Sequence, residues 1–336
     1  MEDKMGVIFK QYDFNVEETY RVKGCTVIKT EKGEFVIKPY EGSETKARID
    51  NAIKIHLHEN GYEYMDITQT NREGELISYN QYGNPFVIKR MYQGLECDLY
   101  NHDQVIAGVQ ELAKLHKILR TIVLDKELEH KIRSRDVKED LNSYLKGIRR
   151  VNRYIVGKNK KNDFETQFLR VFPEYIYQGE EAAGILAGIN FERNEKADNT
   201  RKWEDIYHGS FDQHSILFLN SNMGVTVSNF EKVAKGCQIV DLYHFIRKTM
   251  EKNEWEEELG IRMIEEYVSK IDVSGDEMKL LEVMFIFPEK FWKIVNRYYN
   301  TRKVWVSGKS LEKLNSLNEQ EIKRKCFIKA IKEYRK

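Results

Sequence analysis

The hydrophobic period of this 336-residue chain changes near residue 100, and that change limits its fold more than any single motif. Before it, apolar residues fall in short β-rich runs. "CTVIKTEKGEFVIKPY" reads as a hairpin, with strands at residues 27–29 and 35–38 and a turn over Glu31, Lys32, Gly33 and Glu34. "ELISYNQYGNPFVIKRMY" gives a second hairpin around Gly83, Asn84 and Pro85. One helix interrupts them, "SETKARIDNAIKIHLHENG", with Ser43 as N-cap and Gly61 as its stop. From Asp103 onward the period becomes helical, with Val105, Val109, Leu112 and Leu115 on one stripe. Residues 136–155, 164–186 and 242–336 continue as helix, and residues 205–242 return to short β segments. The pattern predicts an α+β chain of two lobes. A small β-rich lobe covers residues 1–92, and a mainly helical lobe covers 93–336 and carries the β-rich loop region at 205–242. A cleft between two such lobes suits a small molecule.

Composition narrows the function classes. The net charge is +1, which supplies no global attraction for nucleic acid or a membrane surface. The four cysteines, Cys25, Cys97, Cys237 and Cys326, form no C-x-x-C pair, so zinc and a disulfide framework are poorly supported. No apolar run approaches the ~20 residues that span a bilayer, and the first residues lack the apolar core of a signal peptide. The expectation is a soluble protein made in the cytoplasm, with no membrane span and no nucleic-acid partner.

The chemistry concentrates at "HGSFDQHSIL", residues 208–217. In kinases and small-molecule phosphotransferases the corresponding loop reads roughly H-G-D-x-x-x-x-N-I-L. Its Asp accepts the proton of the substrate hydroxyl and its Asn holds Mg²⁺. Here His208, Gly209, Phe211, Ile216 and Leu217 keep the frame, while Ser210 stands at the base position and Ser215 at the metal position. Asp212 is the nearest substitute base, and His214 is a second proton acceptor or a plain surface histidine. "SNFEK" follows at the distance of a metal-binding D-F-G segment, but with Asn229 in place of the Asp and Glu231 as a partial substitute ligand. Mg²⁺ held against phosphates normally has one or two carboxylates. Asp241 reads as a structural carboxylate at a helix N-terminus. Lys38, ending "FVIK", suits either a phosphate-contacting strand lysine or an edge-strand lysine in solvent. No glutamate on the following helix is placed to pair with it, and Gly24 is the only glycine where a phosphate loop would lie. His116 in "ELAKLHK" suits a packed helix-end residue better than a catalytic one.

With these segments in view, the chain resembles the CotS-type spore coat proteins, relatives of aminoglycoside phosphotransferases and choline kinases. "FVIKPY", "LAKLHK" and the loop carry the kinase-like part. "GLECDLYN", "DLYHFIRKTMEKNEW", "FPEKFWKIVNRYYNTRKVW" and "EKLNSLNEQEIKRKCF" carry the CotS-like part. The resemblance implies a bilobal protein-kinase-like fold, synthesis in the mother-cell cytoplasm, assembly into the spore coat, and other coat proteins as partners. It makes Lys38, Arg90, Met91 and Tyr92 the expected cofactor-binding positions, with weak binding of ATP and magnesium at most. The three replaced groups point to a catalytically impaired pseudokinase with a structural or binding role. An active ATP-dependent kinase acting on a sugar, amino alcohol or aminoglycoside-like alcohol is the alternative.

Two further stretches have plain readings. Phe291, Val295 and Tyr298/Tyr299 recur as one buried helix face, with an aromatic docking surface as the other option. The basic stretch from residue 130 to 161 reads as a solvated helical face, or as a site for an acidic partner.

Overall fold

A computed structural model describes residues 2–22, 24–195, 199–202, 204–220, 224–300 and 307–335. The elements run α1 (Glu2–Phe9), β1 (Val16–Val22), β2 (Cys25–Thr30), β3 (Gly33–Pro39), α2 (Glu44–Glu59), β4 (Ser78–Tyr79), β5 (Pro85–Arg90), β6 (Gly94–Glu96) and α3 (His102–Leu119). Then come α4 (Lys126–Glu129), α5 (Val137–Val156), α6 (Asp163–Leu186), β7 (Glu192–Glu195), β8 (Asn199–Lys202), β9 (Asp205–Tyr207), β10 (Ile216–Leu219), β11 (Val225–Val227) and β12 (Ala234–Gly236). Six helices finish the chain: α7 (Ile239–Lys252), α8 (Glu257–Val268), α9 (Gly275–Ile286), α10 (Glu289–Asn300), α11 (Ser307–Glu319) and α12 (Glu321–Tyr334). These elements form two compact units. One takes residues 1–97, 114–133 and 208–234, and the other takes 98–113, 134–207 and 235–336.

The first unit is built on an antiparallel sheet ordered β1-β2-β3-β5-β4. The pairing Val36↔Lys89 and Ile37↔Ile88 sorts its side chains into two faces. Phe35, Ile28, Phe86 and Ile88 share one face, which is covered by Ile8 of α1 and by Tyr12. α1 was not expected from the sequence, because a single helix of eight residues carries too weak a period to read. The other face carries Val27, Val36, Val87 and Lys89. Val22 of β1 pairs with Cys25 of β2, and Gly24 sits just before that strand at φ +83°. α2 begins as the sequence requires, with the Ser43 hydroxyl accepting from Lys46 N–H, and Gly61 follows its end at φ +98°. Just past the lobe boundary expected after residue 92, Gly94–Glu96 forms β6, an edge strand of the sheet β11-β10-β6.

The second unit is mainly helical. α6 starts with a capping box between Asn162 and Glu165, and α9 with one between Ser274 and Glu277. Of the α10 face expected to be buried, Phe291 and Val295 are buried and Tyr298 and Tyr299 are half-buried. Phe291 stacks on Tyr175 at 4.4 Å and on Phe168 at 5.5 Å, and Val295 is fully enclosed. The end of that motif, residues 301–305, lies outside the described residues.

Two CotS-like segments meet in this unit through buried charge. Tyr243, Arg247 and Glu251 come from "DLYHFIRKTMEKNEW", and Glu289, Lys290 and Lys293 from "FPEKFWK". Lys293 Nζ lies 2.7 Å from Glu289, the Tyr243 hydroxyl donates to it at 3.1 Å, and Arg247 Nε stands at 3.6 Å. Arg247 also pairs with Glu251, which Lys290 reaches at 2.6 Å. Burial pushes the Glu289 carboxyl up, but His244, Arg247 and Lys293 outweigh it and hold the pKa at about 2. A carboxylate depressed in this way contributes stability above its unfolded pKa and loses it as pH falls toward the folded value. Glu289→Gln is therefore expected to cost about 3–5 kcal/mol at pH 7. It should also flatten the acid limb of stability between about pH 4.5 and pH 2, read by urea titrations at stepped pH.

Candidate functional site

The loop that opens at His208 is held by its own side chains. His208 is fully buried, and its Nε2 lies 2.8 Å from Ser228 O while Nδ1 accepts from Ser210 N–H at 3.3 Å. The neutral ring with its proton on Nε2 satisfies both. Phe211 and Phe230 flank it edge-on. Gly209 follows at φ +77°, where an added Cβ would lie 2.0 Å from Lys232 O, so the H-G pair is fixed by space as well as conformation.

The two positions that carry metal chemistry in the enzyme pattern are occupied with the loop itself. Ser215 is buried. Its hydroxyl donates to Asp212 O at 2.8 Å and accepts from Asp212 N–H at 3.0 Å, which closes the turn onto β10. Asn229 adopts the left-handed conformation at φ 65°, where Asn is tolerated better than most residues. Its amide nitrogen donates to His214 O at 3.2 Å. A carboxylate there would set oxygen against oxygen. Ser210 is half-buried, and Glu231 is exposed. Asp212 is half-buried and one of its oxygens accepts from His214 N–H at 3.0 Å, while His214 itself pairs with Glu96 at 2.6 Å. A magnesium ion bridging phosphates does not fit this donor set. One hydroxyl is consumed within the loop, one amide faces a carbonyl, and neither brings charge. Among the described residues no three His, Cys, Asp or Glu side chains converge as a metal-binding group.

As the absence of a placed glutamate led one to expect, Lys38 stands apart from the ion pairs of its unit. Lys38 lies opposite Val87 on the sheet and makes no ion pair among the described residues. The buried charge centres instead on Lys54, which is 0% exposed. Its ammonium lies 3.0 Å from Asp50 and 2.9 Å from Asp66, and Lys89 reaches the same Asp50 oxygen at 3.0 Å. Lys54 Nζ also lies 5.7 Å from the centre of the Phe230 ring, so the N-F-E segment packs on this cluster. Burial works to raise the Asp50 carboxyl, but Lys54 and Lys89 reverse it and hold it below the usual range. Burial works to neutralise Lys54, and Asp66 and Asp50 more than offset it. Sequence reading looked for a glutamate partner to Lys38 and passed over this set. The available signal was Lys89, a cation on the Val87 face of an otherwise apolar strand, together with Asp50 and Lys54 one helical turn apart.

The remaining expected positions separate. Arg90 N–H donates to Ile67 O at 3.0 Å and Met91 N–H to Glu34 O at 2.9 Å, so these two backbone donors are already engaged. Tyr92 packs edge-on against Tyr64, and the Arg90 guanidinium lies 5.8 Å from the Tyr92 ring. Asp241 belongs to the second unit, fully buried in the first turn of α7. His116 is fully buried, in keeping with a packing role.

The family description "Spore coat putative kinase YutH" matches residues 5–331. The chain belongs to this family. No curated protein sequence matches the YutH-type chain significantly. Solved structures do, at low identity. An aminoglycoside phosphotransferase from Alicyclobacillus acidocaldarius is 16% identical with a TM-score of 0.81, over 98% of this chain and 96% of that one. A spectinomycin phosphotransferase, solved with ADP and spectinomycin, is 13% identical with a TM-score of 0.65, over 96% and 97%. Amicoumacin kinase, solved with AMP-PNP, Ca²⁺ and its antibiotic, is 10% identical with a TM-score of 0.59, over 96% and 93%. The YutH-type chain thus has the kinase-like fold expected from its motifs, a β-sheet region followed by a mostly helical one.

Asn229→Asp, which moves the sequence back toward the enzyme pattern, is expected to destabilise the protein by about 0.5–1.5 kcal/mol at pH 7, the net loss of one exposed hydrogen bond. The new carboxylate would face the His214 carbonyl, raising its pKa, so the penalty should shrink as pH falls through the carboxylate range. Urea midpoints at pH 7 and pH 4.5 check both statements.

Proposed function

We propose that this chain serves in the spore coat as a structural or binding component on a phosphotransferase fold, and that it is a pseudokinase. The observation that carries the reading is the double hydrogen bond of Ser215 to Asp212, which spends the metal position on closing the loop. Ser210 at the base position and the inward-turned amide of Asn229 support it. A serine hydroxyl has too high a pKa to accept a proton unaided at pH 7. The family description supports the coat location, and other coat proteins are the partners proposed for it. The neighbours solved with nucleotides support residual nucleotide binding, which we place near Lys38, Arg90, Met91 and Tyr92. The uncharged donors at Ser215 and Asn229 favour a mode that gains little from magnesium.

The competing reading is an active kinase that uses Asp212 as its base. The half-buried carboxylate of Asp212 within the loop is the observation in its favour.

Thermal-shift titrations separate these readings. A ligand at about 100 times its dissociation constant stabilises by ~2.7 kcal/mol, which is readily seen. The pseudokinase reading expects any shift with ATP to be the same with and without Mg²⁺. It also expects no transfer of radiolabelled phosphate to sugars, amino alcohols or aminoglycosides. A magnesium-enhanced shift, together with transfer that Lys38→Ala and Asp212→Asn both abolish, would establish the active kinase instead.

A further inference from the structure

The second unit carries two surfaces of opposite charge and similar apolar character, on different helices. The first is a groove of about 570 Å³ where α7 ends, α8 begins and α12 passes, lined in part by Glu254, Glu256, Glu257, Ile322 and Cys326. Its floor is fixed. Trp255 is buried, its indole N–H donates to Gln320 at 3.1 Å, and Asn253 donates its amide to Leu99 O at 2.8 Å. Glu254 and Trp255 both hold positive φ, at 51° and 59°, a conformation that costs non-glycine residues energy and that the surrounding bonds enforce. The rim is acidic. Glu254 is paired with Lys323 and Glu256 lies 3.8 Å from His102, while Glu257 and the neighbouring Glu258 have no ion-pair partner among the described residues. Ile322 stands at the rim 77% exposed.

The second surface is the outer face of α5. Lys146, Arg150, Arg153 and Tyr154 recur at i, i+4, i+7 and i+8, so they line one side of the helix. All are exposed, and none of the three cations has an ion-pair partner among the described residues. Arg149, one residue off this line, is taken by Glu180. Tyr154 is 58% exposed and Val156 60% exposed, which gives the basic face its own apolar end.

We infer that these two surfaces bind each other between copies of this chain. The α5 face of one copy lies in the acidic groove of the next, Arg150 and Arg153 meet Glu256 and Glu257, and Tyr154 meets Ile322. Charge and apolar content are complementary within a single chain, so a second copy is a sufficient occupant. Because the two surfaces differ, the contact is head-to-tail, and such contacts grow into open chains unless their rotation happens to close a ring. This association makes no use of the loop at His208, so its failure would leave the pseudokinase reading untouched, and the reverse also holds.

Sedimentation velocity of the full-length protein tests it. Wild type is expected to assemble beyond the dimer as concentration rises at about 20 mM salt, and to weaken at least about tenfold by 500 mM salt, since exposed charges are screened over that range. A groove variant, Glu256→Lys with Glu257→Lys, and a face variant, Arg150→Ser with Arg153→Ser, should each remain monomeric alone. Mixed in equal amounts they should form a one-to-one dimer and nothing larger, because each retains one half of the contact. The mixed dimer also shows that both variants are folded. Ile322→Ser, at an exposed position, should weaken wild-type assembly without changing its salt dependence. The inference is overturned if wild type stays monomeric at low salt, if either variant alone assembles like wild type, or if the mixture does not dimerise. A monomeric wild type whose groove captures a free lysine-rich peptide would also overturn it, in favour of a different basic partner.

Discussion

An ammonium removed from water must be answered by carboxylate, and Lys54 makes that demand at the centre of the first unit. Asp50 and Asp66 answer it, and Lys89 then shares Asp50. Through this one charge, α2, the segment after it and β5 become mutually dependent. Phe230 packs over the same ammonium, so the segment that begins at Asn229 is also placed by it. In the kinase pattern a strand lysine and a helix carboxylate share the duty of holding phosphate and holding the fold. Here the carboxylate of the helix is committed to structural lysines, and Lys38 is left outside the cluster.

The loop is held by side-chain bonds of its own: His208 with Ser228, Ser215 with Asp212, Asn229 with His214. These bonds are short-range and mutually consistent. Unmade, the bonds of His208 and Ser215 would leave buried polar groups unsatisfied, at a cost of roughly 1–3 kcal/mol each. The residues at 215 and 229 thus take part in holding the loop's geometry.

The sequence disclosed what depends on local pattern and on motif spacing. The α2 cap at Ser43, the hairpin over residues 27–38, the long helices α5 and α6, and the buried face of α10 were all readable, because each has a period or a capping residue of its own. The loop frame was readable because its spacing is distinctive. The Lys54 cluster was not, since its four members lie as far apart as residues 50 and 89 and only folding brings them together. Nor could the role of Ser215 be read, since a serine at a metal position looks the same in sequence whether it faces a cleft or its own backbone. β6 was hidden for a third reason: three residues, two of them exposed, carry no alternation to detect.

The closed hydrogen-bond circuit of the loop bears on how the protein responds to its surroundings. A site that waits for a cation is ordered by that cation and loosens when ionic supply falls. A loop that satisfies Ser215, Asp212 and Asn229 internally has no such dependence. Bonds of this kind form as the chain folds, and they ask nothing further of the solvent to stay made.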